Sequence, residues 1–307
     1  MINKYRLEFR ILGTGSATPQ LQRNPSAFVV TIDNFLILID CGEGTQYRLL
    51  EHKVKISRLR YILISHLHGD HYFGLIGLLS TLNMQKRTEP LVIYGPNGLD
   101  EIIGLQLKYS GTILNFKLNF SVTNPTGFNE ILNTETIQIK TFPLKHRIDC
   151  TGFLLNKKKS KRKILADKLP VNFPATYYKM LQEGNHVEDE FSGITYINEE
   201  YTTEGCPEKR LAYCSDTIYD ETIIDYIKDV DLLYHEATFL AEHAERAKLT
   251  FHTTAAQAAS IAQKANVKRL LIGHFSSRYK TTEDFLTEAR AVFSDTTLSQ
   301  EGENFIF

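Results

Sequence analysis

Between Ser65 and Gly74 the chain reads SHLHGDHYFG, which places His66, His68, Asp70 and His71 within six residues. Neutral imidazole is a good zinc ligand and carboxylate an acceptable one. His-x-His at the end of a strand lets two imidazoles reach one ion. Asp70 and His71, one turn later, can point to a neighbouring ion. Two divalent ions would also offset the strain of crowding four titratable groups together. They need further ligands, one of them able to bridge. Asp216 suits the bridge because a carboxylate has two oxygens, and His146 and His274 would complete one ion each. A lone histidine is ordinarily structural or superficial, so Asp216 and His274 gain their weight from the HxHxDH run. His52, His186 and His243 lie in polar contexts and read as surface residues.

Several of these side chains stand where an apolar run ends. RYILISH is a buried strand feeding His66; TIQIKTFPLKH feeds His146, RLAYCSDT feeds Asp216 and RLLIGHFSS feeds His274. Strands hold their ends rigidly, and loops leaving one edge of a sheet converge on one point. LEFRILGTGS reads as a strand entering a glycine turn, AFVVTIDNFLILIDCG as a hairpin turning at Asp33-Asn34, and DLLYHEAT as a further strand. EGTQYRLLEHKV carries helical spacing through Tyr47, Leu50 and Val54. TTAAQAASIAQKAN and TTEDFLTEARAVF read as helices, with Thr281 or Thr282 as N-cap of the second. The mixture predicts an α+β fold, sheets packed together with helices outside.

At 307 residues and 42% hydrophobic the chain can bury a large core, and a net charge of −1 gives no global field to recruit a polyanion. Any grip on nucleic acid must then come from a local basic patch. Cys41, Cys150, Cys206 and Cys214 form no CxxC pair, which points to a reducing compartment. The N-terminal stretch has no long apolar core or cleavage-like site, and no apolar run approaches the ~18 residues of a membrane helix. A cytoplasmic protein without membrane contact is expected. Residues 153–208 break the rhythm and read as an insertion. Six of the seven residues 157–163 are Lys or Arg, the obvious candidate patch.

SHLHGDH resembles the signature of the metallo-β-lactamase superfamily. GTGSATP at 13–19, RNPSA at 23–27, IDCGEGTQ at 39–46, HEATF at 235–239 and HTTAAQAA at 252–259 are similar to the short form of ribonuclease Z, the tRNA 3′-processing endonuclease. The resemblance implies an αββα sandwich: one domain over 1–307, two mixed sheets face to face with helices on both outer faces. It also implies a protruding exosite arm within 153–208 that clamps tRNA. Two Zn²⁺ per subunit would sit at the sandwich edge: His66, His68 and His146 on one, Asp70, His71 and His274 on the other, Asp216 bridging.

The same resemblance assigns Asp70 to orienting or deprotonating the attacking water. His252 would protonate the leaving 3′-oxygen and Glu236 would hold that imidazole. The products would be a 3′-hydroxyl on the tRNA and a 5′-phosphate on the trailer. Asp40, ending FLILID, would orient the metal loop, and His235 would be structural. Arg23 and Asn24 match the loop that senses the RNA 3′ end, whereas GTGS alone serves equally as a tight turn. A homodimer is implied. The arm departs from the family pattern: NFPATYYKMLQEG lacks the Gly-Pro dipeptide. The rival readings are a small-molecule phosphodiesterase or another hydrolase on the same scaffold, a di-iron redox protein, and an RNA-binding subunit with a degenerate site. The HEAT and HTTAAQ motifs speak against the first. His68, where di-iron proteins place Glu, speaks against the second, and the full set of seven ligands against the third.

Overall fold

A computed structural model describes residues 7–190 and 192–307. Residues 1–6 of the expected 1–307 domain, and Phe191 within the expected arm, lie outside the described residues. The first half contains β1 (Leu7–Gly13), β2 (Ala27–Ile32), β3 (Phe35–Cys41), α1 (Thr45–Glu51), β4 (Leu59–Leu63), α2 (Gly69–Tyr72), α3 (Leu75–Met84), β5 (Leu91–Gly95), α4 (Leu99–Tyr109) and β6 (Leu118–Val122). Then come β7 (Asn129–Asn133), β8 (Ile137–Leu144), β9 (Cys150–Lys157), β10 (Lys163–Ile164), α5 (Ala175–Gln182), β11 (Val187–Glu188), β12 (Thr195–Tyr196), α6 (Asn198–Tyr201) and β13 (Thr202–Thr203). The chain closes with β14 (Lys209–Cys214), α7 (Ile224–Ile227), β15 (Leu232–Glu236), α8 (Ala244–Thr250), α9 (Ala255–Lys264), β16 (Leu270–Gly273), α10 (Glu283–Arg290), β17 (Thr296–Leu298) and β18 (Asn304–Ile306).

Two seven-stranded mixed sheets result, ordered β18-β1-β2-β3-β4-β5-β6 and β17-β16-β15-β14-β9-β8-β7. Alternation along each strand decides which residues face the partner sheet. Leu7, Phe9 and Ile11 of β1 and Phe28, Val30 and Ile32 of β2 meet Phe153, Leu211, Tyr213 and Tyr234 of the other sheet in one buried cluster. Phe28 packs 4.6 Å from Tyr234 and 5.2 Å from Tyr213, and truncating a ring buried this way costs roughly 3–5 kcal/mol. The opposite faces are apolar too. One is covered by α1, α3 and α4, the other by α9 and α10. This is the four-layer αββα sandwich expected from the sequence.

The expected β2–β3 hairpin pairs Ile32 with Phe35, and Asp33 takes the positive φ (47°) the tight turn requires. Helix α1 differs from the expected face. Tyr47 and Leu50 are exposed, and the helix is anchored by Leu49, with the Arg48 guanidinium donating to the Leu12 carbonyl at 3.1 Å. Thr282 stands at the N-cap of α10 but its side chain makes no capping bond. The capping box belongs to α9 instead, where Thr254 and Gln257 bond reciprocally, worth about 1 kcal/mol.

The insertion begins later than its expected start at residue 153. Residues 153–157 belong to β9, where Phe153 and Leu155 are buried and pair with β14. The alternation of FLLNK continues the strand, whereas the basic run just after it had suggested an earlier exit. From Lys158 to Glu208 the chain makes an excursion with its own small core of Phe173, Leu181, Val187 and Tyr196. The basic run does not form a free patch. Lys157 is buried, Lys159 and Arg162 pair with Glu204, Lys161 reaches Glu183 at 4.0 Å, and Lys158 donates to Asn133 at 2.6 Å. Glu204 and Glu183 thus balance part of its charge, while among the described residues Lys158 and Lys163 have no carboxylate partner. All four cysteines are free thiols, and among the described residues no helix is long and apolar enough to cross a membrane.

Candidate metal centre and active site

Parallel pairing lines up strand ends. β14, β15 and β16 run parallel, with Cys214 beside His235 and Glu236 beside Gly273, so Asp216, Glu236 and His274 emerge at one edge. β3 and β4 run parallel in the facing sheet. They deliver Asp40, and His66 just beyond the end of β4 at Leu63, to the same edge. The HxHxDH loop lies tightly on the end of β3. A Cβ on Gly42 would meet the Asp70 carbonyl at 2.4 Å, and one on Gly74 would meet the Gly42 carbonyl at 2.1 Å. Neither position accepts a side chain.

All seven residues expected to ligate metal converge there. His68 Nδ1 lies 3.0 Å from both His66 Nε2 and His146 Nε2, and Asp216 Oδ2 lies 3.7 and 3.9 Å from those two Nε2 atoms. On the other side, Asp70 Oδ2 is 3.5 Å from His71 Nε2 and 3.4 Å from His274 Nε2, and Asp216 Oδ1 is 3.5 and 3.3 Å from the same nitrogens. Tetrahedral ligands about 2.0–2.1 Å from one ion lie about 3.4 Å apart, so both groups have the spacing of a cation cage. His71 Nε2 and Asp216 Oδ1 are buried with no hydrogen-bond partner, a costly arrangement unless a cation satisfies them. Asp216 thus offers one oxygen to each cluster.

The far nitrogens of four imidazoles are engaged. Asp40 accepts from His71 Nδ1 at 2.8 Å, the Phe251 carbonyl accepts from His146 Nδ1 at 3.0 Å, Thr238 Oγ1 holds His274 Nδ1 at 2.8 Å, and Ser65 Oγ holds His66 Nδ1 at 3.0 Å. Such partners fix the ring and leave Nε2 facing inward, as in carboxylate–histidine–metal arrays. Asp40 is wholly buried and also accepts from Tyr213 Oη at 2.7 Å, Ser65 N at 2.8 Å and Ser65 Oγ at 3.0 Å. Asp40, Phe251 and His274 all take positive φ (54°, 59° and 63°). Each costs on the order of 1 kcal/mol or more, and such backbone gathers at functional sites.

Burial holds His66 and His68 below the usual imidazole range and pushes His146 down to about 4, so these three are neutral and ligand-ready. Burial acts the same way on His71 but is outweighed by Asp216, Asp70 and Asp40, which raise it. Burial raises Asp70 and Asp216, yet the neighbouring histidines win and hold both below the usual carboxylate range.

His252 Nδ1 lies 3.0 Å from Glu236 Oε1 and 4.0 Å from Asp216 Oδ2. Glu236 is fully buried and also accepts from Thr253 N at 2.9 Å, Thr217 N at 3.3 Å, Thr238 N at 2.9 Å and Thr238 Oγ1 at 2.8 Å. Burial lowers the His252 imidazole, but the Glu236 carboxylate more than offsets it and raises it to about 9. His235 points away and bonds the Glu236 carbonyl through Nδ1 at 2.7 Å. The surface histidines His52, His186 and His243 take no part.

Arg23 and Asn24 lie at this edge but are tied internally. Asn24 bonds both oxygens of Glu301 at 2.6 Å, and Arg23 donates to the Tyr279 carbonyl. The GTGS segment does not form the expected tight turn: Gly13 ends β1, Gly15 bridges in parallel to Phe275, and a Cβ on Gly13 would meet the Pro25 carbonyl at 1.7 Å. Sequence reading missed Thr238, Ser65, Tyr213 and Phe251. Thr238 lies inside the HEATF motif and Ser65 opens the SHLHGDH run, which were the available signals; Tyr213 and Phe251 act through long-range contacts.

Residues 7–165, the part holding HxHxDH and His146, match the family model described as anti-Pycsar protein Apyc1. Over nearly its whole length the chain is 46% identical to ribonuclease Z of Cytophaga hutchinsonii (97% of this chain, 95% of that protein). It is 41% identical to ribonuclease Z of Bacteroides thetaiotaomicron (96% and 94%). Among solved structures, the short form of human tRNase Z superposes with a TM-score of 0.71 at 26% identity, covering 97% of this chain and 98% of that one. The metallo-β-lactamase fold protein YhfI of Bacillus subtilis, at 18% identity and a TM-score of 0.69 over 98% of this chain and all of that one (100%), shares the fold. With the sandwich and its clustered ligands, these likenesses show that the chain, whose first half also falls within the Apyc1 family model, belongs to the ribonuclease Z family.

Proposed function

We propose that this protein is a zinc-dependent endoribonuclease that removes the 3′ trailer from precursor tRNA, leaving a 3′-hydroxyl on the tRNA and a 5′-phosphate on the trailer. The observation that carries this reading is the pair of ligand clusters bridged by Asp216, with the His252–Glu236 pair 4.0 Å away. His66, His68 and His146 would hold one zinc, and Asp70, His71 and His274 the other, with Asp216 shared. Asp40, Asp70, Asp216 and Glu236 bring four carboxylates into one buried region, a charge that two divalent ions balance. When bound, such a pair activates a water and stabilises both faces of an in-line phosphoryl displacement.

Asp70 orients the attacking water and takes its proton. His252, held by Glu236, does the reverse and gives a proton to the 3′-oxygen as the P–O3′ bond breaks. Thr238 links Glu236, His252 and His274 and keeps the acid in register with the ligand. The excursion within 153–208 serves as the tRNA-binding arm, acting through its shape, exposed apolar side chains such as Val171 and Ile194, and the unpaired part of its basic run. The protein acts in the cytoplasm; it acts as a homodimer, for which the exposed Tyr47 and Leu50 on α1 offer one apolar contact face.

Incubation with a trailer-bearing tRNA, followed by end-mapping and metal analysis, tests this reading. Cleavage at the trailer junction with the stated ends supports it. An enzyme that hydrolyses small phosphodiesters but leaves that tRNA intact is a small-molecule phosphodiesterase instead.

A further inference from the structure

A cleft of about 360 Å³ opens beside the metal centre, lined by Thr18, Phe239, Arg246, Ser276, Ser277 and Arg278. Its wall is continuous with the active site. Phe239 follows Thr238, and its ring lies 6.2 Å from that of His252. Ser276 donates its backbone N–H to the Thr238 carbonyl at 3.2 Å and follows His274 by two residues, at most about 7 Å of chain. Arg246 belongs to α8, which is fastened to the catalytic segment by the His252 N–H donating to the Ala247 carbonyl at 2.8 Å.

The charge of this cleft is not neutralised from within. Among the described residues neither Arg246 nor Arg278 stands within ion-pair distance of a carboxylate, in contrast to Lys159, Lys161 and Arg162 of the insertion. The nearby Glu288 is already engaged, its two oxygens accepting from Ala241 N and Ala256 N at 2.8 Å each. Two guanidinium forks beside three hydroxyl side chains are the chemistry of phosphate recognition.

We propose that this cleft is a second phosphate subsite, which grips a non-scissile backbone phosphate of the bound RNA next to the one being cut. This rests on the ribonuclease reading above. The subsite gives a nearly neutral protein a local hold on a polyanion where register matters most. A phosphate fixed next to the reacting one sets which linkage reaches Asp70 and His252.

The test compares the wild type with R246A/R278A in steady-state cleavage of a trailer-bearing tRNA over a series of salt concentrations. KM is expected to rise about 10- to 100-fold, as for loss of charge-assisted contacts, with kcat changed far less. The slope of log(kcat/KM) against log[salt] is expected to become shallower by about 1, the value for one lost phosphate contact. R246K/R278K keeps the charge but not the fork, so it should retain the slope while restoring KM only in part. If the alanine variant fails to fold, judged by thermal unfolding and metal content, R246Q/R278Q takes its place. An unchanged KM and slope in a folded, metal-loaded neutral variant overturns the subsite. A wild type that does not cleave the tRNA at all overturns the ribonuclease reading instead.

Discussion

Asp40→Asn is a one-atom change that should act through a proton. Asp40 Oδ1 accepts from the Ser65 amide at 2.8 Å, while Oδ2 accepts from Tyr213, Ser65 Oγ and His71 Nδ1 at 2.7, 3.0 and 2.8 Å. An asparagine that keeps its oxygen against the Ser65 amide must turn its NH₂ toward the other three. The two hydroxyls can rotate to accept. His71 can accept only if its proton leaves Nδ1 for Nε2, the nitrogen that faces Asp70 and Asp216 without a hydrogen-bond partner. The opposite amide orientation sets NH₂ against a backbone N–H that cannot rotate. Either way His71 is disabled as a ligand or binds metal at a penalty. Losing a partner of this kind costs about 10- to 100-fold in metal affinity, or roughly 1.4–2.7 kcal/mol. Competition against a chromophoric chelator, with ions counted per subunit, should show the deficit concentrated on the Asp70–His71–His274 cluster. Excess zinc should restore part of the turnover. Two ions bound with wild-type affinity in D40N would refute the tautomer argument.

His252→Ala should lower kcat on tRNA by about 10²- to 10⁴-fold while the bound metal stays at the wild-type level; stoichiometric metal loss would make His252 a ligand rather than an acid. A separate expectation concerns stability alone. Asp231 accepts from Arg210 N at 2.8 Å and Lys268 Nζ at 2.7 Å. Burial raises its carboxyl, but those hydrogen bonds together with Lys209 prevail and hold it low. A depressed carboxylate stabilises the fold above its unfolded pKa of about 3.9, and that contribution fades as pH falls through the folded value. D231N should therefore unfold about 1 kcal/mol more easily than the wild type near pH 7, with the gap closing toward pH 3. A gap independent of pH in chemical denaturation would exclude the charge as its origin.

The convergence of the candidate ligands was legible because its signals are local or punctuated. His66 to His71 form one run, and given that run Asp216, His146 and His274 stand out because each follows an apolar strand. Glu236 and His252 were legible only through motif resemblance, since nothing in their spacing says that a loop returns one to the other. The face of α1 was misread because Leu49 and Leu50 are adjacent and equally apolar; the choice between them is made by the tertiary packing of Leu49. The start of the insertion was misread because composition changes before the strand ends. The fate of its lysines was invisible for a related reason. Lys159 and Arg162 find Glu204 more than forty residues later, and a sequence displays charges without their partners.

That internal pairing changes where a polyanion can be held. Cations already paired with the protein's own carboxylates give up an exposed pair, worth up to about 1 kcal/mol, before they take a phosphate. Arginines without such partners face no exchange of this kind. Two such arginines, Arg246 and Arg278, sit beside the candidate metal centre, on a helix that precedes His252 and a loop that follows His274. The same short segments therefore carry His274 or His252 at one end and a guanidinium without a carboxylate partner near the other. Three left-handed residues, Asp40, Phe251 and His274, hold the backbone at this edge in conformations that unsupported chain would leave. The scaffold offsets that strain through the hydrogen bonds on the far side of each imidazole. The candidate centre is thus preorganised by protein contacts, with its imidazole and carboxylate groups already aimed at one another.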